Sequence, residues 1–237
     1  MKSRGGSSPG TSRPMITDLF SVAAERHPDK TAVSQKDRVF TYAEIAVKIK
    51  GVSATLGSLP LTSSDRVIIA LNNEIWFIVA YFGVLEAGLV PVIIRTDMPP
   101  VKTACIIRSV DAAGVIGYSR VFRDLPAPLP DIQFAILDEE PPVPLSDTPV
   151  YMSLEEASRC QQPKHLPSSA ATGSGIEPRT ILFTSGSSGL PKGVILSAEN
   201  LDYSVGIMVD YLKLTSHDCS LISIPFSHCA GLLHMLA

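Results

Sequence analysis

Apolar positions along this chain recur with two periods, one near four residues and one of two. Over residues 15–26, Ile16, Leu19, Phe20 and Ala23 fall at helical spacing, with Thr17 or Asp18 placed to cap and His27, Pro28 and Asp29 placed to stop. Residues 31–34 and 38–41 are short runs around a polar turn and predict two strands. Thr41 and Glu44 form an S/T-x-x-E capping box, which predicts a helix running to about residue 56. RVIIAL, residues 66–71, predicts a buried strand.

The next stretch, residues 75–94, is apolar enough to be confused with a membrane span. Glu86 near its middle would cost roughly 2–3 kcal/mol in lipid, and Gly83, Gly88 and Pro91 interrupt a helix. The better parse is a buried helix over residues 73–86, ended by Gly88, and a buried strand over 89–94. Further on, a turn at 97–100, a helix at 101–110 and strands at 114–118 and 134–137 keep strand and helix alternating at α/β spacing. Residues 138–179 are rich in Pro and Ser, with a helical turn at 154–158, and predict a long surface excursion between subdomains. Strands at 180–184 and 194–196, a helix at 198–212, a strand at 219–224 and a helical start at 232–237 complete the reading.

Composition narrows this only modestly. The chain has 237 residues, 45% hydrophobic and 18% charged, with net charge −3 and a mean hydropathy of +0.23. That balance gives no reason to expect nucleic acid or an anionic membrane as partner. Cys105, Cys160, Cys219 and Cys229 show no paired spacing, which fits reduced thiols in the cytoplasm. The first 14 residues are basic and rich in Ser and Gly but lack an apolar core, so they predict a disordered tail rather than a secretory signal. No transmembrane segment is expected.

The chemistry concentrates in TILFTSGSSGLPKGVILSAEN, residues 180–200. Strand, small-residue loop, cation and strand follow one another. Gly186 and Gly189 admit positive φ and let backbone N–H groups crowd an anion. Thr184, Ser185, Ser187 and Ser188 can donate to phosphate oxygens, and Lys192 brings a point charge. A Walker A loop is excluded: Pro191 precedes the Lys, Gly193 follows it, and Pro191 keeps Leu190 extended. By turn chemistry alone, a Gly/Ser hairpin that binds nothing is the competing reading.

The complete string TSGSSGLPKGV is more specific. It resembles the phosphate-binding signature of the adenylate-forming superfamily: acyl- and aryl-CoA synthetases, peptide-synthetase adenylation domains and luciferases. FTYAEI (40–45), LEAGLVPV (85–92) and PFSHCAG (225–231) resemble three more of its segments in the same order. The resemblance covers the chain from about residue 15. It implies an α/β fold of layered, parallel-rich sheets sandwiched by helices, as in that family's large N-terminal domain. It also implies attack of an acyl or aryl carboxylate on the α-phosphate of Mg·ATP, then transfer to a thiol of coenzyme A or a carrier protein's phosphopantetheine. Thr184, Ser185, Gly186, Ser187, Ser188, Gly189 and Lys192 would hold the β- and γ-phosphates, and His228 would stand between nucleotide and acyl pockets, so Lys192 and His228 are the implied catalytic residues.

His217, Cys219, Cys229 and His234 lie near His228, yet their spacing fits no common zinc pattern. Amino-acid-activating relatives carry an Asp near the second motif. Residues 226–229 offer no carboxylate, so an acid without an α-amino group is expected. The family's acidic Mg2+ ligand, its ribose-binding acid and its mobile C-terminal domain have no counterpart before Ala237. The expectation is therefore roughly the first half of such an enzyme, incomplete for catalysis and partnered by the missing half. The alternatives are one part of a split enzyme or a non-catalytic nucleotide-binding or interaction remnant.

Overall fold

The computed structural model describes residues 19–126, 129, 131–139, 150–160, 178–184 and 191–237. The expected tail and the first residues of the first expected helix lie outside them. The chain opens with helix α1 (Leu19–Arg26) and an antiparallel hairpin of β1 (Thr31–Gln35) and β2 (Arg38–Thr41). Helix α2 (Tyr42–Gly57) starts on the expected capping box: the Glu44 N–H donates to Thr41 Oγ1 at 3.2 Å, and the Thr41 N–H donates to Glu44 Oε2 at 2.8 Å.

The main sheet follows. Strand β3 (Arg66–Ala70) leads to α3 (Ile75–Glu86), β4 (Val90–Ile93), α4 (Pro100–Ser109), β5 (Ala112–Gly117), β6 (Phe134–Leu137) and β7 (Val150–Ser153). After a short helical turn α5 (Leu154–Ala157) come β8 (Pro178–Thr184), β9 (Lys192–Ser197), α6 (Ala198–Leu212) and α7 (Cys229–Leu236). The strand order is β7-β6-β5-β3-β4-β8-β9, parallel throughout except for β9, which runs antiparallel to β8. This is the layered, parallel-rich α/β architecture that the sequence resemblance implies.

Alternation along the strands separates two cores. Val67 and Ile69 of β3 join α2, α3 and the inner faces of α6 and α7, whereas Ile68 and Ala70 face Ile106 and Ile107 of α4. Helix α3 is apolar on all sides because it lies within the first core, where Phe77 and Tyr81 are wholly buried. It ends at Gly88, whose φ of +74° closes the turn. The Leu89 N–H then reaches back to Val84 O at 3.1 Å.

Two expectations change. Residues 138–179 are not wholly a surface excursion, because β7 adds an edge strand beside β6, and Leu154 and Ala157 of α5 are buried. Residues 219–224 form no strand among the described residues. Their apolar run finds no ladder: Leu221 is 96% exposed, and the carbonyls of Ile222 and Ile224 are taken by a side chain, Asn73.

Connectivity fixes where a ligand can sit. From the carboxyl end of β3 the chain turns into α3 on one face of the sheet. From the adjacent end of β4 it turns into α4 on the other face and crosses back past β3 to β5. The two loops diverge and leave a crevice between them, at the switch point where open α/β sheets take ligands.

Candidate functional site

A groove of about 1060 Å3 occupies that crevice. Leu71, Asn72 and Asn73 after β3 form one wall, Arg95 to Pro99 after β4 another, and Leu182 to Thr184 of β8 a third. Residues 222–229 lie across it, bringing Phe226 and His228 into the lining.

The hairpin of β8 and β9 positions the expected phosphate-binding residues. Its register pairs Thr184 with Lys192, so the cation stands directly across from the last hydroxyl of β8. Thr184 Oγ1 donates to Lys192 O at 3.3 Å, Lys192 is exposed, and Thr184 and Pro191 line the groove. Ser185, Gly186, Ser187, Ser188 and Gly189 lie outside the described residues. The root of the hairpin is fixed by Thr180, whose hydroxyl is 2.9 Å from Tyr81 OH in the core. Burial pushes the Tyr81 phenol well above its ordinary range, although the Thr180 hydrogen bond opposes the shift, so Tyr81 is a neutral anchor.

His228 is the N-cap of α7. Its Nδ1 accepts from the Ala230 N–H at 3.2 Å, which assigns the ring hydrogen of the neutral imidazole to Nε2. Two devices hold this cap in place. Phe226 is buried against Phe77, with ring centroids 4.9 Å apart. Gly231 lets α7 sit on the preceding backbone: a Cβ there would lie 2.2 Å from Pro225 O and 2.6 Å from Ile224 O. Among the described residues no group of three or more His, Cys, Asp or Glu is placed to hold a metal ion.

Sequence reasoning missed Asn72, Asn73 and Glu74, three consecutive polar residues that tie the loops together. Thr96 Oγ1 donates to Asn72 Oδ1 at 2.8 Å. Asn73 Nδ2 donates to Ile224 O at 2.8 Å and Ile222 O at 3.3 Å, and Asn73 Oδ1 accepts from the Phe226 N–H at 2.8 Å. Tyr118 OH donates to Glu74 Oε1 at 2.6 Å. Burial, followed by that bond to Glu74, pushes the Tyr118 phenol up to about 12. At the rim Arg95 grips Asp97 with bonds of 2.8 and 2.6 Å, which holds the Asp97 carboxyl below its usual range. The available signal was position: Asn-Asn-Glu directly follows a buried strand of an α/β chain, where ligand-facing loops begin.

Comparison with known proteins shows the family and the fold. The salicyl-AMP ligase / salicyl-S-ArCP synthetase of Mycobacterium tuberculosis is 27% identical over 242 residues, covering 92% of this chain and 40% of that protein. The apo structure of MbtA from Mycobacterium smegmatis matches with a TM-score of 0.80 at 25% identity, covering 94% of this chain and 42% of that one. The inhibitor-bound N-terminal domain of FACL13 from M. tuberculosis has the same fold, with a TM-score of 0.75 at 21% identity over 94% of this chain and 54% of that one. The chain thus spans about two-fifths of the length of the curated relative. A family model described as AMP-binding enzyme matches residues 20–237, and the chain belongs to that family of adenylate-forming enzymes.

Proposed function

We propose that this chain forms the phosphate- and acid-facing part of an ATP-dependent carboxylic acid–thiol ligase. The observation that carries the reading is the pairing of Thr184 with Lys192 at the mouth of a hairpin that opens beside the same groove as His228. Thr184, Ser185, Ser187, Ser188 and the backbone around Gly186 and Gly189 hold the β- and γ-phosphates, with Lys192 balancing their charge. A carboxylate oxygen of the acid attacks the α-phosphorus, the bond to the bridging oxygen breaks, and pyrophosphate leaves with that electron pair. The sulfur of coenzyme A or of a carrier protein's phosphopantetheine then attacks the acyl carbon and releases AMP. His228, hydrogen-bonded through Nδ1 to its own helix, offers Nε2–H to an oxygen at the junction of the two ligands.

Charge stabilisation by this stretch rests on Lys192, on the hydroxyls of Thr184, Ser185, Ser187 and Ser188 and on backbone N–H groups. The apolar floor of Leu71, Leu182, Phe183 and Phe226 suits a fatty or aromatic acid, and residues 226–229 bring no carboxylate to pair an α-ammonium. Among the described residues no helix is long and apolar enough to cross a membrane. The test is acid-dependent exchange of pyrophosphate into ATP, with a panel of fatty and aromatic acids. A polypeptide joining this stretch to the remaining length found in its relatives is expected to exchange. The 237-residue chain alone is expected not to, since losing one electrostatic element costs ~10²–10³ in rate. Robust exchange by the chain alone would move the essential residues into this stretch. No exchange with any acid by the longer polypeptide would overturn the function.

A further inference from the structure

Residues 222–228 lie along the groove within a stretch, 213–228, that forms neither helix nor strand, and they carry His228. Such a segment normally takes its place by pairing with a neighbouring strand. Here, among the described residues, one carboxamide pairs with residues 222–226. Asn73 presents its donor to Ile224 O and Ile222 O and its acceptor to the Phe226 N–H, the alternating set of groups that a strand edge would offer. The residue before it accepts from Thr96 and the residue after it from Tyr118. Asn73 is thus fixed at the end of β3 by contacts to the ends of β4 and β5.

We infer that Asn73 is the positioning residue of the site: it replaces a strand neighbour for residues 222–226 and so sets where His228 stands in the groove. The inference rests on the proposed function for its importance, but not for its geometry. Phe226 supplies apolar anchorage and Gly231 the close approach of α7, but neither specifies register along the segment. Two carbonyls and one N–H on alternating residues, all bound by one rigid amide, do specify it.

The experiment is amide exchange by NMR on the full 237-residue chain, comparing wild type with Asn73→Ala and with the isosteric Asn73→Asp. Tyr118→Phe serves as control, because it removes the hydrogen bond to the adjacent Glu74 and keeps the ring. In Asn73→Ala exchange at Phe226, His228 and Ala230 is expected to rise about tenfold or more, as for loss of a hydrogen bond or two. Asn73→Asp keeps an acceptor for the Phe226 N–H but loses the donor to Ile222 O and Ile224 O, so there the rise is expected at His228 and Ala230. Ladder amides of β3 and β5 stay as they were in both. Tyr118→Phe is expected to raise exchange at residues 222–230 less than Asn73→Ala does, since it removes one of the two neighbouring contacts that hold Asn73 and leaves the Asn73 amide itself in place. With Mg·ATP as probe, the Lys192 amide should still respond in Asn73→Ala, while the His228 amide should lose its response. Unchanged protection at Phe226 in Asn73→Ala would overturn the proposal. Equal loss across β3 and β5 would also overturn it, by making Asn73 a residue of general stability. Failure of ATP to perturb even the wild type would count against the proposed function alone, since the exchange comparison needs no ligand.

Discussion

Replacing Gly231 with Ala adds one methyl group where the structure has no room. The new Cβ would stand 2.2 Å from Pro225 O, 2.6 Å from Ile224 O and 2.7 Å from Pro225 C, all backbone atoms that cannot rotate away. Ordinary contact begins at 3.4 Å, so α7 and residues 224–225 must part by roughly 1 Å. Alanine gains up to about 1 kcal/mol of helix propensity, less in a first turn. Overpacking costs about 1–3 kcal/mol, and the displaced backbone also strains the Asn73 bonds to Ile222 and Ile224. The expected result is a net loss of about 1–2 kcal/mol in urea unfolding, with raised exchange at His228 and Ala230. Gly88→Ala is the comparison. No atom lies within 4 Å of its Cβ position, but φ is +74°, so about 1–2 kcal/mol is lost with no change at His228. A Gly231→Ala protein as stable as wild type, with His228 equally protected, would refute the close-approach argument.

Lys192→Ala should leave stability within about 0.5 kcal/mol, because Lys192 is exposed, and yet weaken triphosphate binding; equal ATP affinity by calorimetry would remove it from the site. The full-length enzyme should activate fatty or aromatic acids in preference to free amino acids; the reverse order in pyrophosphate exchange would contradict the unpaired-ammonium argument. Ile195 of β9 and Tyr203, Ile207 and Tyr211 at helical spacing on α6 are 50 to 83% exposed among the described residues. The 237-residue chain should therefore self-associate as concentration rises, with Ile195→Lys and Tyr211→Lys restoring monomer, and a strictly monomeric wild type in ultracentrifugation would disprove this. Tyr118 is held neutral in the folded state, its phenol pushed up to about 12. Its contribution is complete below the ordinary phenol range near 10 and is lost as pH rises from there towards 12. Tyr118→Phe should flatten that part of the stability profile, and identical profiles would exclude the effect.

Local devices were legible in the sequence because a few adjacent residues determine them. The Thr41–Glu44 capping box, the stop at Gly88 and the all-apolar helix α3 needed no knowledge of distant contacts. The hairpin around Pro191 and Lys192 was also readable, since its register follows from the short separation of β8 and β9. The strand β7 was hidden: VYMS alternates weakly, and its pairing with β6 is parallel and so depends on a crossover. CSLISI misled in the opposite direction, since β-branched composition cannot show that a side chain will occupy the ladder positions. Asn73 was invisible for the same reason. Its three partners lie 149 to 153 residues further along, and one amide in a loop has no periodicity to betray it.

The most direct test of the central claim is a titration of the isotope-labelled 237-residue chain with Mg·ATP, followed residue by residue by NMR. A saturable response is expected at Thr184, at Gly186 to Gly189, at Lys192 and at His228, competed by pyrophosphate and weakened by Lys192→Ala, with α4 and β5 to β7 silent. A response centred away from the hairpin mouth, or one indifferent to Lys192→Ala, would contradict it.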